Sequence, residues 1–463
     1  MTLSGPPRHT VRIAALAWPL LVGQLAVIAN GVIDTAMTSR YSATDLAALA
    51  LGTAIYISVY VSLNGVLQAI APAIGQLFGA RKYEAIGFEV KQGMWLALFL
   101  TCVGALFLLF PQPLLNLAHA SPELQDKAES YLAMLALALP ASLGFRVYSA
   151  LNTALGRPKL IMALQVAGLA LKIPLNAIFI FGGAGIPAMG GPGCAIATTI
   201  IAWLMMVTAW LIVRYASNYR QFHLFGSGFV SPRWASQHAL LKLGVPMGLS
   251  YLIEVTAFTF MAIFIARLGD TAVAGHQVTA NFATVLYMIP LSIANATGTL
   301  VAHAIGAQDW NTARRVGNAG MLLAAGTATA LGIGVWFARE VIIQAYTPNS
   351  AIFAAALPLF LFIAVYQFFD ALQITAAFIL RAYKIALIPT LMYAVALWGI
   401  GLGGGYVLGL NPFGWSPPAL QGATGFWMGN SISIGLVAMA LFWYLRYVQR
   451  LFAKENRREE KCA

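Results

Sequence analysis

The sequence predicts an all-α polytopic membrane protein with twelve transmembrane helices in two pseudo-symmetric six-helix lobes. Three observations support this fold class: a shortage of charged residues, recurring long apolar segments, and a repeat of the first half in the second. Of the 463 residues, 60% are hydrophobic and only 9% are charged, whereas about 25% of the residues in an ordinary soluble domain are charged. Most of the protein surface is therefore expected to face lipid.

Apolar segments long enough to cross a bilayer, about 20 residues each, recur along the whole chain. Backbone polar groups in hydrocarbon must be bonded within a helix or a closed barrel. The segments lack the alternation of barrel strands, so they are predicted to be helices. The predicted spans are residues 12–38, 46–77, 90–115, 129–155, 160–182, 190–214, 241–267, 273–303, 313–342, 350–380, 385–408 and 421–447.

The basic residues predict the orientation of these spans. Loops on one side hold 21 of the 27 lysines and arginines and loops on the other hold four. Cytoplasmic loops carry the excess of positive charge, so both termini are expected in the cytoplasm. Although the net charge is +12, its dispersal over short loops argues against a nucleic-acid partner.

The second half of the chain repeats the first. A shift of 227 residues aligns Pro19 with Pro246 and Arg40 with Arg267, and the shift falls to 226 or 225 further on. Six spans per half give both halves the same orientation, as in the parallel repeats of alternating-access transporters. The repeat predicts an N-terminal lobe at 1–214, a cytoplasmic linker at 215–240, a C-terminal lobe at 241–447 and a basic cytoplasmic tail at 448–463. It also favours a first membrane span over a cleaved signal peptide.

Three of the 15 acidic residues lie within predicted spans: Asp34, Glu254 and Asp370. Each costs about 2.5–3.5 kcal/mol at the centre of a membrane helix on insertion scales. None has an acidic counterpart in the repeat, which favours a functional origin. The default interpretation is an ion or substrate pathway, and the alternative is pairing with in-span Arg146 or Lys172 that only holds helices together.

Two of the carboxylates have a candidate aromatic neighbour. Tyr366 lies four residues before Asp370, on the same helical face, where its ring would meet a cation or its hydroxyl would bond the carboxylate. Ordinary packing is an equal alternative. Glu254 and Asp370, from different helices, would share one proton or hold one Na⁺, since a second nearby carboxylate favours proton uptake and oxygen ligands suit small cations.

Asp34 has candidate polar neighbours in the same half. Asn176 follows Pro174 at a predicted kink and is placed to face Asp34, and Asn152 and Thr198 belong to the same set. Polar contacts between helices are the alternative for all of them. For Arg146 and Lys172 three fates stay open: neutralising Asp34, extending towards the cytoplasm, or binding an anion.

At these positions the chain resembles the multidrug and toxin extrusion (MATE) family, in particular its NorM-like bacterial branch, over nearly its whole length. Glu254, Tyr366 and Asp370 stand where that branch carries its acidic cluster. The other matching segments are Ala17-Trp18-Pro19-Leu20, Asn30-Gly31-Val32-Ile33-Asp34-Thr35, Gly75-Gln76-Leu77-Phe78-Gly79-Ala80 and Pro174-Leu175-Asn176.

The resemblance implies a monomer of the bacterial inner membrane that exports organic cations, such as drugs and dyes, in exchange for Na⁺ or H⁺. It implies a coupling-cation site at Glu254, Asp370 and Tyr366, with Na⁺ or H⁺ as the coupling ion and no cofactor. It also implies a substrate or proton site around Asp34 and Asn176. Some relatives carry a further acid where this chain has Ile180.

Other function classes fit less well. A flippase for lipid-linked oligosaccharides, from the same superfamily, would need a basic cavity for diphosphate, for which Arg146 and Lys172 are the candidates. A membrane enzyme is not expected, because neither an HExxH nor a Gly-x-Ser-x-Gly motif occurs and His276 and His303 are not spaced as a metal pair.

Overall fold

The protein is described by a computed structural model covering residues 6–117, 121–183, 185–225, 228 and 230–462, with the side chains of 6–8, 114, 116, 117 and 454–462 left aside. Within this part, long α-helices account for nearly all of the regular structure, and one isolated bridge joins Gly183 and Ile186. The helices are α1 Pro6–Tyr41, α2 Ala43–Leu67, α3 Ile70–Gly79, α4 Tyr83–Leu109, α5 Gln112–Leu117, α6 Pro122–Ala154, α7 Pro158–Phe181, α8 Gly191–Tyr215, α9 Trp234–Ala266, α10 Asp270–Gly306, α11 Trp310–Tyr346, α12 Ser350–Ala382, α13 Leu387–Tyr393, α14 Gly404–Leu410 and α15 Ala423–Cys462.

Twelve helical segments of the described chain are long and apolar enough to cross a membrane. This confirms the twelve predicted spans. The second span, Ala43–Gly79, combines α2 and α3. The eleventh, Leu387–Leu410, combines α13, a π-helix at Ala394–Gly403, and α14. Two of the long helices start at a proline, since Pro122 and Pro158 occupy the first turns of α6 and α7, where a missing N–H costs nothing.

The chain forms two compact units. The N-terminal unit comprises Val22–Gly248, and the C-terminal unit combines Met1–Leu21 with Leu249–Ala463. The boundaries therefore fall within α1 and α9. The segment 215–240, predicted to be a linker, contains a 3-10 helix at Ser217–Phe222 and the first turns of α9, and it belongs to the N-terminal unit.

In the N-terminal unit, α6 packs against α2, α4 and α8. Its buried face includes Leu139, Leu143 and Leu151. The 3-10 helix lies directly on α4, where a Cβ on Gly87 would come within 2.0 Å of the Phe222 carbonyl oxygen. Glycine at this position is what allows the two backbones to approach so closely.

In the C-terminal unit, α12 lies against α10, α11 and α15. The core contains many small residues, among them Ala324, Ala376 and Ala377. At one crossing, a Cβ on Gly320 would lie 2.3 Å from the Thr297 side chain. Small residues let membrane helices approach closely, so the polar side chains of α12 are held in a rigid frame.

Candidate functional site

The N-terminal unit holds Asp34 in an ion pair with a lysine. The Lys172 ammonium lies 2.9 Å from Asp34 Oδ1, and the two side chains are 2% and 14% exposed. Lys172 also donates to the Thr198 hydroxyl. Of the three fates open to Lys172 in the sequence, the structure shows neutralisation of Asp34.

Asn176 lies one helical turn after Lys172 on α7, on the same face. Its side-chain nitrogen donates to Asp34 Oδ1 at 2.7 Å, so the predicted contact is present. Asn176 is fully buried, and its Oδ1 has no hydrogen-bond partner among the described residues. The carboxylate therefore accepts from one ammonium and one amide, which is a neutralised and well-bonded arrangement.

Asn152 does not join this group. It lies in the last turn of α6, where its amide donates to the Tyr148 carbonyl and accepts from the Tyr219 hydroxyl at 2.5 Å. Because α7 begins four residues after α6 ends and Asn176 is near its other end, the two asparagines are roughly 25 Å apart along α7 at 1.5 Å per residue. The prediction that Asn152 contributes to the Asp34 site is therefore wrong, and the residue instead anchors the segment after α8.

Arg146 lies apart from the acidic residues. It is half-buried on α6, within electrostatic range of the Tyr60 hydroxyl. Its Nε has no hydrogen-bond partner within the described part of the chain, and no ion pair involving it is formed there. Neutralisation of Asp34 is thus carried out by Lys172 and not by Arg146.

The C-terminal unit brings Glu254 and Asp370 together. Glu254 on α9 is half-buried and lies within electrostatic range of Asp370 on α12. Asp370 is 1% exposed and accepts a hydrogen bond from the Gln373 amide at 2.8 Å. Two carboxylates from two helices thus share one buried region, as the sequence predicted.

Tyr366 lies in the same region, but its hydroxyl does not bond Asp370, which was one of the predicted contacts. Its ring makes edge contacts with Phe258 and Trp427, with ring centres 6.2 and 6.0 Å apart. Its hydroxyl pairs with the Asn430 side chain rather than with Asp370. The tyrosine therefore forms an aromatic wall of the site and ties α12 to α15.

Several polar residues at this site were missed by the sequence argument. The hydroxyls of Tyr287 and Tyr393 lie within electrostatic range of both carboxylates. In the described structure these two hydroxyls and the amide of buried Gln367 have no hydrogen-bond partner. Gln367 and Gln373 lie three residues either side of Asp370, a spacing that would have identified them from the sequence.

Arg381 is a further residue that the sequence argument missed. It follows the predicted span 350–380 directly and was therefore counted among the 21 basic residues in loops. It lies in the last turn of α12 and is only 5% exposed. Its guanidinium donates to the Tyr251 hydroxyl at 3.2 Å, stacks on the Phe378 ring at 4.6 Å, and lies within electrostatic range of Glu254. The site therefore combines two carboxylates, one arginine and several uncharged oxygen groups.

The chain matches known proteins in three kinds of comparison. The MatE family model matches residues 19–178 and 246–407, two segments whose starts have the separation found in the repeat. The chain is similar to the probable multidrug resistance protein NorM of Aromatoleum aromaticum, with 41% identity over 94% of this chain and 93% of the relative. It is 36% identical to the multidrug resistance protein PmpM of Pseudomonas aeruginosa, over 97% and 94% of the two chains.

Solved structures show the same fold. The eukaryotic MATE transporter AtDTX14 superposes with a TM-score of 0.86 at 19% identity, covering 98% of this chain and 100% of that one. The Vibrio cholerae MATE transporter VcmN in the bent form gives a TM-score of 0.83 at 18% identity, over 96% and 98% of the chains.

Proposed function

This chain belongs to the MatE family of membrane transporters, and we propose that it is a multidrug exporter that expels organic cations in exchange for Na⁺ or H⁺. We place it in the bacterial inner membrane with both termini in the cytoplasm, acting as a monomer. The relatives named as multidrug resistance proteins support the export role. The observation that carries the coupling role is the pair of carboxylates, Glu254 and Asp370, in one buried region.

The Glu254–Asp370 region has the chemistry of a cation site. Carboxylate, hydroxyl and amide oxygens are the ligands preferred by hard cations such as Na⁺, and two neighbouring carboxylates also favour uptake of a proton. Arg381 offsets one of the two negative charges. One bound monovalent cation would then leave the region neutral, which is the state that a low-dielectric interior favours.

Exchange requires that the coupling cation and the drug cation favour different conformations. A ligand shifts a conformational equilibrium only by its differential affinity for the two states. A cation at Glu254 and Asp370 would remove the negative charge that attracts an organic cation, so the drug leaves on the outer side. Release of the coupling cation inside would restore that charge and allow a new drug molecule to bind.

We assign Asp34 a different role, in which its carboxylate pairs with Lys172 or, in its place, with an incoming cation. With Lys172 at 2.9 Å, Asp34 has no free negative charge to offer. A drug cation would displace the ammonium, or a proton on Asp34 would release it. Thr198 and Asn176 would hold the displaced groups, because each already bonds one member of the pair.

The flippase alternative is less favoured. A diphosphate site would need free basic groups, and Lys172 is occupied by Asp34. Arg146 on α6 forms no ion pair in the described part of the chain, so only one of the two candidate bases is not paired with a carboxylate. The relatives named above are multidrug resistance proteins.

The test is export of a fluorescent organic cation from everted vesicles under an imposed Na⁺ gradient and, separately, an imposed proton gradient. One gradient is expected to drive export, and Glu254→Gln or Asp370→Asn is expected to abolish it. Glu340→Gln is the matched control, because Glu340 is an exposed carboxylate in the same unit. Normal export by the neutralised variants, at equal amounts in the membrane, would reject the coupling role.

A further inference from the structure

A polar cavity lies between α11 and α15, and none of the carboxylates discussed above lines it. It has a volume of about 200 Å³ and is lined by Arg314, Phe442, Trp443, Arg446, Gln449 and Arg450. A water molecule takes about 30 Å³ of liquid volume. The cavity therefore has room for a group of several heavy atoms, such as a phosphate with its substituents.

The cavity concentrates positive charge. Arg446 and Arg450 are one helical turn apart on α15, and like charges at this spacing destabilise a helix. The Arg446 guanidinium also stacks on the Phe442 ring at 4.9 Å. Among side chains that the structure describes, no carboxylate forms an ion pair with any of the three arginines. An anion in the cavity would relieve this repulsion.

Gln449 is the observation that indicates a ligand. It lines the cavity, the residue is 5% exposed, and neither its amide nitrogen nor its side-chain oxygen has a hydrogen-bond partner within the described residues. A buried amide without partners costs free energy, so an unpaired buried group calls for a specific explanation. A phosphate oxygen accepting from the amide nitrogen would satisfy it.

The surroundings favour a lipid as the source of that phosphate. Trp443 and Tyr447 are 67% and 61% exposed beside the arginines, and exposed tryptophan and tyrosine on membrane helices are typical of the headgroup level. Arg314, Arg446 and Arg450 belong to the set of basic residues that predicts the cytoplasmic side. Basic pockets between helices on that side are suited to anionic headgroups.

We propose that this cavity binds the phosphate of an anionic phospholipid, with Arg314, Arg446 and Arg450 holding the charge and Gln449 bonding a phosphate oxygen. Arginine is well suited to the task, because its planar guanidinium bonds two phosphate oxygens at once. The proposal is independent of the export role, since it concerns neither carboxylate region.

Binding is measured on the purified full-length protein, stripped of lipid and titrated with phosphatidylglycerol, cardiolipin or phosphatidylcholine in native mass spectrometry. Preference for the two anionic lipids is expected, and Arg446→Gln should weaken their binding about tenfold, as loss of a charge-assisted hydrogen bond does. Gln449→Leu should weaken it several-fold. Arg315→Gln is the matched control, because Arg315 adjoins Arg314 but does not line the cavity.

Arg450→Gln provides a second test at an exposed position, in case Arg446→Gln does not fold. Equal binding of anionic lipid by the wild type and both arginine variants would overturn the proposal. The proposal would also be overturned if millimolar inorganic phosphate displaced the bound lipid as effectively as added anionic lipid does. That result would favour a soluble phosphate compound as the ligand. Loss of lipid preference in the cavity variants, with Arg315→Gln unchanged, would support it.

Discussion

The ion pair between Lys172 and Asp34 is expected to be a large local contribution to the stability of the N-terminal unit. Replacing Lys172 with methionine keeps the length of the side chain but leaves Asp34 charged without its cation. Breaking a buried pair by removing one partner typically costs about 3–5 kcal/mol. Asn176 still donates to the carboxylate at 2.7 Å, which places the expected loss near 3 kcal/mol.

The magnitude follows from the geometry. At the observed 2.9 Å and an effective dielectric constant of 20, the attraction between two unit charges is about 6 kcal/mol. Desolvation of both groups offsets part of this gain. Asp34→Asn should also destabilise the unit, because it leaves the Lys172 ammonium with Thr198 as its remaining neighbour. The double variant removes both charges and is expected to lose only about 1 kcal/mol.

The assay is equilibrium unfolding of the purified protein in mixed micelles, carried out as a double-mutant cycle. If Asp34→Asn costs at least as much as the double variant, the coupling energy between the two positions is about 3 kcal/mol or more. Lys242→Met is the matched control, because Lys242 is exposed in the same unit and its loss should change the unfolding free energy by less than about 0.5 kcal/mol. A double variant destabilised by the full sum of the single losses would refute the reasoning.

Two further predictions concern the packing of the 3-10 helix. Gly87→Ala would place a methyl group 2.0 Å from the Phe222 carbonyl oxygen. The variant is therefore expected to lose about 1–3 kcal/mol of stability, measured by thermal unfolding. The control is Gly31→Ala, which has open space around the new methyl group and should be neutral or stabilising. Burial raises the pKa of Tyr219 above its ordinary value of 10.0, so the folded protein keeps a proton that the unfolded chain releases and stability falls as the pH rises above 10. Tyr219→Phe should lower the unfolding free energy by about 1–2 kcal/mol at pH 8, because the hydrogen bond to Asn152 is lost. Above pH 10 the unfolding free energy of the variant should fall less steeply than that of the wild type. An equally steep fall for the two proteins would contradict this explanation.

The membrane spans were predictable because each is a long apolar segment, and the backbone has no other way to satisfy its polar groups in lipid. Breaks and changes of helix type within a span were not predictable. The break between α2 and α3 and the π-helix at Ala394–Gly403 occur inside spans that are apolar on average, so average hydropathy does not mark them. The early start of α9 at Trp234 was missed because its first turns are too polar to count as membrane-spanning.

The carboxylates of the site were predictable because a charge in a membrane span is costly and therefore rare. Their uncharged partners were harder to find, since a tyrosine or glutamine in a span costs less than a charge. Asn152 shows the limit of the approach. Its residue type matched the Asp34 site, but its place in the last turn of α6, opposite the end of α7 that carries Asn176, argues against it.

The two carboxylate regions differ in their electrostatic state, and this difference constrains what each can bind. Asp34 is already neutralised by Lys172, so an incoming cation there must compete with a tethered one and gains affinity only when the ammonium moves. Glu254 and Asp370 share one nearby arginine, Arg381, so they retain a net negative charge when both are ionised. A small cation can therefore bind at the second region without displacing any protein group. On this basis Na⁺ affinity should depend on Glu254 and Asp370, while Lys172 should affect the affinity for the drug.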